Sequence, residues 1–361
     1  MRSLFPLVLF GLLLSACGAG SQPATTATTT PSAMADAPID LTERFELSAS
    51  PGCADGYPAT IDDAYFLSPG GGFPVPYGHR LEGNWGGSAI GWSVGDEMQP
   101  APDSLRIRWF SYTEDKFYEG HFLMPQERIY KLIKAGLWDV EHRERITYND
   151  LSLSVVPGGV VVVWLTRGSG DKVLVERYEA REILYDYARH RPGVDRVASV
   201  REGRAAASPE AQRAIATQTL GPQKWDTWLK RYPWQLAFSQ PLTITNYHIT
   251  YFSEEATYDP PTPDMAAYAQ VVLASNSKPV PSRINLYVAG AYGRKKLFKV
   301  SPFDEAETIT AFQTLAAAHP GQPLTLFIET NERLNEAKLS LRAGKQVIPL
   351  TKSQVQLFDP N

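Results

Sequence analysis

The chain has 361 residues, a formal net charge of -4 and 43% hydrophobic residues. A mildly acidic chain without long basic tracts is a poor ligand for nucleic acid, because phosphate contacts need clustered lysine and arginine. Beyond the N-terminal region the longest apolar run is strand-sized, from Gly158 to Leu165. A membrane-spanning helix needs roughly 20 apolar residues. The composition therefore predicts a folded body and excludes a nucleic-acid-binding protein.

Residues 1–16 are typical of a secretory signal peptide. A single basic residue, Arg2, precedes an apolar stretch from Leu4 to Leu14, which is too short to span a membrane. Small residues then lead to Cys17 in a pattern that resembles the bacterial lipobox. We expect cleavage before Cys17 and acylation of its thiol, since each buried lipid methylene contributes about 0.8 kcal/mol of membrane anchoring. The alternative is an ordinary signal peptide with a cysteine nearby by chance.

Residues 17–40 are predicted to be a disordered tether. They are small, polar and rich in threonine, with several prolines, so they cannot bury enough apolar surface to order themselves. Gly18, rather than aspartate, follows the predicted lipid site. By resemblance to enterobacterial sorting rules this favours the outer membrane, with the body in the periplasm.

The body that follows contains about 320 residues, which is more than one core usually needs, and its pattern repeats. Each half has an alternating segment, a turn that leads into a strand, a second strand, a helix that starts near proline and an acidic residue, and three further strands. The paired segments are Phe45–Pro51 with Trp234–Pro241, Pro102–Trp109 with Pro281–Tyr287, Lys116–Leu123 with Lys295–Val300, Pro125–Trp138 with Pro302–Ala318, and Asn149–Tyr178 with Leu324–Leu350. We therefore predict an α+β fold with two related domains, 41–178 and 231–361, each a mainly antiparallel sheet with one packed helix.

Residues 179–230 are predicted to form a helical connector between the domains. Glu179–His190 and Ser208–Lys230 are the expected helices, separated by the breaker Arg191-Pro192-Gly193. Ser208, Pro209 and Glu210 make a favourable helix start, because they supply a cap, a proline in the first turn and an acid near the positive helix end.

Two cysteines leave no intrachain disulfide once Cys17 carries lipid. Cys53 is then either a buried small hydrophobe or a free reactive thiol. We expect it to be buried.

Gly91-Trp92-Ser93-Val94-Gly95 matches the G-x-S-x-G pattern of hydrolases. A nucleophile elbow needs a strand before the serine and a helix after it. Pro100 and Pro102 follow too soon for a normal helix. The segment is therefore interpreted as a glycine-rich loop, and catalysis by Ser93 is kept as an alternative.

Histidines and acidic pairs give no convergent catalytic or metal site at the sequence level. The six histidines, His79, His121, His142, His190, His248 and His319, lack the spacing that places two imidazoles on one metal. The adjacent acids are Asp62-Asp63, Glu114-Asp115 and Glu254-Glu255. Neighbours on a strand point to opposite faces, so turns or loops are the expected setting. We predict no metal and no cofactor, while a carboxylate pair remains an alternative active site.

Two long aromatic segments could present rings to a protein partner. Tyr57–Trp92 contains Tyr65, Phe66, Phe73, Tyr77 and Trp85, and Tyr247–Pro263 is expected to be the corresponding loop of the second half. Rigid aromatic anchors on loops often dominate protein interfaces. The other interpretation is that these rings cap the protein's own sheets.

The run from Pro102 to Pro125, the segment Pro157–Trp164 and the motif Arg231-Tyr232-Pro233-Trp234 resemble a bacterial lipoprotein family known only as domain of unknown function 2931. The resemblance implies lipoprotein status and provides no catalytic residues. Association of such lipoproteins with genes for secreted antibacterial effectors implies an immunity role. The sequence thus predicts an envelope-anchored, non-enzymatic protein-binding module that inhibits an effector. The alternatives are an envelope hydrolase and a structural or envelope-assembly lipoprotein.

Overall fold

Short strands dominate the computed structural model, which describes residues 38–87, 98–140, 142–168, 170–261, 263–290 and 293–359. Within these ranges the strands are β1 Arg44–Glu46, β2 Ser48–Cys53, β3 Ala59–Ser68, β4 Gly71–Pro74, β5 Arg80–Leu81, β6 Met98–Pro100, β7 Ser104–Ser111, β8 Lys116–Leu123, β9 Leu137–Asp139, β10 Glu144–Ile146, β11 Asp150–Val156, β12 Val160–Thr166, β13 Lys172–Glu179, β14 Arg181–Ile183, β15 Arg231–Phe238, β16 Thr243–Tyr251, β17 Ala256–Thr257, β18 Asn276–Pro279, β19 Pro281–Ala289, β20 Lys295–Val300, β21 Leu324–Thr330, β22 Ala337–Ala343, β23 Gln346–Pro349 and β24 Gln356–Phe358. The helices are α1 Gln126–Ala135, α2 Tyr187–His190, α3 Arg196–Ala205, α4 Pro209–Thr217, α5 Gln223–Leu229, α6 Met265–Leu273 and α7 Glu305–Ala318. The α+β class and the mainly antiparallel pairing predicted from the sequence are confirmed.

The strands form one long sheet and two flanking sheets. The long sheet has the order β2-β11-β12-β13-β17-β16-β19-β20-β24, so it passes from the first half of the chain into the second. The first flanking sheet is β14-β8-β7-β3-β4, with β5 also on β3, and the second is β18-β15-β21-β22-β23. Two small ribbons, β1-β6 and β9-β10, complete the described strands.

The same pairing order occurs in both halves of the chain. In the first half β2 pairs in parallel with β11, and β3, β7 and β8 form an antiparallel meander. In the second half β15 pairs in parallel with β21, and β16, β19 and β20 form the meander. Helix α1 follows the first meander and α7 follows the second. The sequence repeat therefore corresponds to a repeat of strand pairing.

Two large cores and two smaller clusters lie between these layers. The first core joins β2, β3, β7, β11, β12 and α1, and the second joins β15, β16, β19, β21, α6 and α7. Strand β12 is buried at every position, because its other face meets a third cluster that includes Trp85, Trp164 and Trp225. A fourth cluster packs Phe110 and Phe117 of the first flanking sheet against Tyr187 of α2.

The connector differs from its prediction. Glu179–His190 is not a helix: β13 continues to Glu179, β14 pairs with β8, and only the single turn α2 follows. Helix α3 lies where the sequence gave no clear signal. The expected helix over Ser208–Lys230 is two helices, α4 and α5, and Ser208 caps the first by accepting a hydrogen bond from the Ala211 N–H.

The two segments expected to be long loops contain strands. Tyr247–Tyr251 belongs to β16, and β17 follows after a short turn, so Tyr247–Pro263 is not one loop. In the first half, β3 and β4 occupy most of the chain between Tyr57 and Pro74. Glycines, prolines and acidic residues interrupt the alternation of polar and apolar residues in these segments, so the sequence pattern did not indicate strands.

Candidate functional site

Two residues that the sequence singled out, Cys17 and Ser93, lie outside the described residues. Lipidation of Cys17 and catalysis by Ser93 therefore stay predictions. Cys53 is fully buried at the end of β2, as expected, and its Sγ lies 3.8 Å from the Gly83 carbonyl oxygen. Burial, and secondarily the charge of Asp55, raise the pKa of the Cys53 thiol far above its ordinary value. This thiol is protected rather than reactive.

The two carboxylates of each adjacent acidic pair contact different partners. In β3, and not in a loop, Asp62 accepts a 2.6 Å hydrogen bond from Arg108, while Asp63 lies 3.3 Å from Arg106. The other contacts are Glu114 with the Tyr118 hydroxyl at 2.8 Å, Asp115 with Arg196 at 2.8 Å, Glu254 with Lys172 at 3.5 Å, and Glu255 with Arg231 at 2.6 Å. None of the three sequence-adjacent pairs forms a two-carboxylate site.

The histidines are also dispersed. Among the described residues no group of three or more histidine, cysteine or acidic side chains is arranged to hold a metal. His121 is exposed on β8, as expected of a sheet-surface residue. His190 is buried, with Nδ1 3.0 Å from Asp62, and its Nε2 has no hydrogen-bond partner among the described residues. Hydrogen bonds from His190 and Arg108 outweigh burial and hold the pKa of Asp62 below its ordinary value.

Most rings of the first aromatic segment are internal. Phe66 and Phe73 contact each other in the first core, and Tyr57 and Trp85 lie in the third cluster. Of the described rings in this segment, Tyr77 is the one with a large exposed fraction, 42%, and Trp92 lies outside the described residues. The four internal rings, Tyr57, Phe66, Phe73 and Trp85, pack within the protein and are not arranged as partner anchors.

Tryptophans join the two halves at a seam. The indole N–H of Trp85 donates to the Phe252 carbonyl at 3.2 Å, and that of Trp164 donates to the neighbouring Ser253 carbonyl at 3.0 Å. The two indoles meet edge to face at 4.8 Å. Trp228 of α5 stacks on Phe252 at 6.2 Å. The turn between β16 and β17 is therefore fixed to the first half by directed bonds as well as by packing.

Beside this seam lies an open cavity of about 810 Å³, which we call the seam cleft. Its lining comes from both halves of the chain and consists of Asp139, Val140, Asn149, Arg167, Gly168, Gly170, Asn246, His248, Tyr258 and Asp259. Within the described part of the chain, no side-chain hydrogen bond is found for the Arg167 guanidinium, the Tyr258 hydroxyl or the Asn149 amide. The cleft thus presents polar groups that are free to meet a ligand.

A buried carboxyl group supports the floor of the seam cleft. Asp171 is only 2% exposed and accepts hydrogen bonds from the backbone N–H of Tyr258 at 2.9 Å and of Asp259 at 3.1 Å. Burial, with a smaller contribution from the charge of Asp259, raises the pKa of Asp171 to about 7 although the two N–H groups act to lower it. Asp171 does not itself line the cleft, but its shifted pKa directly behind two lining residues marks this region as a candidate functional site.

A half-buried pair of opposite charges borders the cleft. A smaller cavity of about 360 Å³ shares Gly170 and Tyr258 with it and contains Lys172 and Glu254. Burial lowers the pKa of Lys172 and raises the pKa of Glu254, while each charge offsets part of the other's shift. The seam therefore concentrates ionisable groups whose charge is sensitive to their surroundings.

Sequence reasoning missed this site because its members are distant in the chain. Asp171 begins β13, whereas Tyr258 and Asp259 follow β17, and no short motif connects them. In the sequence, His248 stands out only as a histidine without a second histidine at metal-binding spacing. The usable signal was the excess of polar residues around Tyr258 within an otherwise alternating segment.

A different surface is apolar. Leu184 is completely exposed, Val197 is 74% exposed and Val194 is 41% exposed. We call these three side chains the connector patch. Leu184 lies between Ile183 and Tyr185 in the chain, and Val197 lies three residues before Val200; these neighbours belong to or pack on the fourth cluster. Exposed aliphatic side chains on segments that pack on one cluster make this region a candidate interaction surface.

These features describe an α+β protein with two large cores, a polar cleft at their seam and an exposed aliphatic patch. The chain belongs to the family described as protein of unknown function (DUF2931), whose model matches residues 24–221. This confirms the family predicted from the sequence. The chain matches no curated protein and no solved structure. Among the described residues no helix is long and apolar enough to cross a membrane.

Proposed function

We propose that this chain is an envelope-anchored, non-enzymatic lipoprotein that binds a protein partner, and that the partner is a secreted antibacterial effector which it inhibits. Cys17 carries the lipid, and residues 17–40 let the body reach away from the membrane. The outer membrane is the proposed location, with the body in the periplasm. No cofactor, metal or nucleic acid takes part in this function.

The connector patch is the observation that carries the protein-binding proposal. Leu184, Val194 and Val197 lie in the part of the chain that the family model matches. Removal of exposed aliphatic surface from water is favourable by roughly 25 cal/mol per Å², and the costs of association offset part of this gain. Arg181 and Arg189 are exposed nearby and can form polar contacts around an apolar centre. The first aromatic segment does not support the proposal, because most of its described rings are internal.

Capture of the tagged native lipoprotein from its own envelope in mild detergent tests this proposal. We expect one stoichiometric secreted enzyme whose activity falls when the lipoprotein is added. The double variant Leu184→Ser, Val197→Ser should lose both the capture and the inhibition. Leu123→Ser is the matched control, since Leu123 is 86% exposed on another surface. Recovery of resident envelope proteins alone would contradict the effector proposal.

The proposed lipid anchor has its own test. Metabolic labelling with a palmitate analogue should mark the wild-type chain and should fail in Cys17→Ser. The variant should also leave the membrane fraction, because several acyl chains are needed for lasting attachment. Labelling that persists in Cys17→Ser would contradict the assignment of the lipid site.

We also propose that the two halves are related domains, 41–178 and 231–361, joined by the segment 179–230. The support is the recurrence of one parallel pair, one meander and one following helix in each half. Antiparallel pairs outnumber parallel ones in proteins, so the recurrence of a parallel pair at matching positions favours duplication.

An envelope hydrolase is the second candidate, and the Asp171–Asp259 pair is the observation that favours it. Two neighbouring carboxyls, one protonated near neutral pH, can act as acid and base. Asp171 is buried, however, so Asp259 would have to contact the substrate. Hydrolysis of glycosidic or ester substrates that is lost in Asp259→Asn would support this candidate, and hydrolysis lost in Ser93→Ala would assign the activity to Ser93.

A further inference from the structure

We propose that the seam cleft is a glycan-binding site, which takes a short stretch of sugar chain bearing hydroxyl and acetamido groups. This site is separate from the connector patch and from any protein partner that binds there. Its cavity, about 810 Å³, falls within the range of roughly 300–1,000 Å³ that holds small ligands.

The free polar groups in the cleft match the chemistry of a sugar ring. Each sugar hydroxyl is both donor and acceptor, so a site needs both kinds of group placed close together. Arg167 supplies donors, Asp259 supplies acceptors, and the Tyr258 hydroxyl supplies one of each. These groups are half-buried at the cleft wall, where a hydrogen bond to a ligand is better shielded from water than at an open surface.

Two side-chain amides suit an acetamido group. Asn149 and Asn246 both line the cleft. The Oδ1 of Asn246 accepts the Tyr247 N–H at 2.7 Å, which fixes the side chain and leaves its NH₂ group free to donate. An amide pairs with an acetamido group through one donor and one acceptor. This is the reason for preferring an acetamido sugar over a plain hexose.

An aromatic wall provides the apolar part of the recognition. The rings of His248 and Tyr258 pack 4.8 Å apart and lie together in the lining. A sugar ring has one face made of C–H groups, and such a face packs on the flat surface of an aromatic ring. Burial lowers the pKa of His248. The neutral imidazole therefore prevails at neutral pH and adds no positive charge to the cleft.

The wall is held in place before any ligand arrives. Asp171 accepts the N–H groups of Tyr258 and Asp259, and the Tyr268 hydroxyl donates to the Tyr258 carbonyl at 3.0 Å. The backbone N–H of Trp138 donates to the Pro260 carbonyl at 2.7 Å. A preorganised site loses less conformational entropy on binding, so these bonds favour ligand recognition by this segment.

Other ligand classes fit the cleft less well. Val140 is the one aliphatic side chain among the described lining residues, which argues against a lipid. Asp139 and Asp259 would repel a phosphate-rich ligand. An extended polypeptide could use the same donors and acceptors, and tetra-alanine tests that alternative directly. A glycan uses all of these features together.

The test uses the full-length lipidated chain in detergent micelles, with chitotetraose, maltotetraose and tetra-alanine as probes. Isothermal titration calorimetry gives the affinities, and saturation-transfer NMR identifies the ligand protons that touch the protein. We expect chitotetraose to bind, its acetamido protons to show transfer, and maltotetraose to bind at least about fivefold more weakly. Tetra-alanine should not bind.

Two variants locate the site. Tyr258→Leu removes the ring face and hydroxyl, and Arg167→Gln removes a guanidinium that bonds no described side chain. Each should weaken chitotetraose binding by about tenfold. Arg333→Gln is the matched control, because Arg333 is exposed and lies away from the cleft. Thermal denaturation of each variant shows whether it is folded, and Arg167→Gln gives the decisive result if Tyr258→Leu is not.

The other outcomes overturn the proposal. Absence of chitotetraose binding, or binding unchanged in folded Arg167→Gln, rules out a glycan in this cleft. Equal binding of maltotetraose rules out the acetamido part. Binding of tetra-alanine that depends on Arg167 would assign the cleft to polypeptide. The connector-patch variants should retain chitotetraose binding, so failure of the effector proposal and failure of this one are distinguishable.

Discussion

At the residue scale, the most informative group is the Asp171 carboxyl. It is buried at the seam, yet it accepts N–H groups from the opposite half. Hydrogen bonds to the charged form oppose the effect of burial, and burial prevails. Asp171 therefore connects the protonation state of one side chain to the contact between the two halves.

This carboxyl should make stability depend on pH. Its pKa of about 7 in the folded chain lies above the ordinary value of 3.8, so between these values the folded state binds more protons than the unfolded state. The free energy of unfolding should then fall as pH rises from about 4 to 7, by at most about 1.4 kcal/mol per pH unit. Urea denaturation at pH 5 and pH 8 measures the fall.

Asp171→Asn cannot titrate, so it should show a smaller loss of stability between pH 5 and pH 8 than the wild type. Asp359→Asn is the control, because Asp359 is 86% exposed and pairs only with Lys296 in the described structure. An unchanged pH dependence in Asp171→Asn would contradict the assignment.

Cys53 gives a second prediction at this scale. Its burial and raised pKa should make the native thiol react with a chromogenic thiol reagent on the order of a hundredfold more slowly than the unfolded chain. In denaturant the mature lipoprotein should release the signal of one thiol, because Cys17 is expected to be acylated. A fast reaction before unfolding would contradict burial, and a second thiol would contradict acylation of Cys17.

At the element scale, the sequence pattern predicted the helices and strands that have a strong periodicity of their own. It did not predict the elements that form only because of tertiary contacts. Strands β7 and β8 and helices α1 and α7 were predicted close to their observed bounds, because alternation or helical spacing is strong there. Strand β14 has three residues and exists through its pairing with β8. Helices α3 and α6 lacked a clear apolar stripe, so their patterns were not recognised.

The candidate site could not be predicted for a related reason. Asp171 and Asp259 meet because β13 and β17 become neighbours in the long sheet, and no periodic pattern specifies that pairing. Aromatic rings were prominent in the sequence, but composition alone does not tell an internal ring from an exposed one. Pairing between distant strands therefore decides the site.

The contact of β12 with the β16–β17 turn gives an element-scale prediction. Trp164→Phe removes the indole donor of the Ser253 carbonyl and leaves that buried oxygen unpaired. We expect a loss of roughly 2–4 kcal/mol in the free energy of unfolding, from the lost bond and the smaller ring. Trp138→Phe is the matched control, since that indole donates no hydrogen bond within the described chain. Equal losses in the two variants would contradict a special role for the seam bond.

At the scale of the whole molecule, the two halves have separate cores but share structures that join them. Two large cores in separate halves favour two related domains. The long sheet, the tryptophan cluster and the connector helices cross the boundary between them, and the described residues from Ile39 onward form one compact unit. Two halves with a related fold need not unfold independently of each other. The contacts at the seam determine whether they do.

The strength of that seam predicts how the molecule unfolds. Because buried bonds and rings join the halves, urea should unfold them in one transition, with coincident curves from far-ultraviolet circular dichroism and tryptophan fluorescence. Hydrogen exchange should show similar maximal protection in β12 and β21, which belong to different cores. In the double variant Trp85→Ala, Trp164→Ala the curves should separate, since each core keeps its own packing while the shared cluster is lost. Two transitions in the wild type would show that the halves are energetically independent, and a single transition that survives the double variant would mean that the long sheet alone couples them.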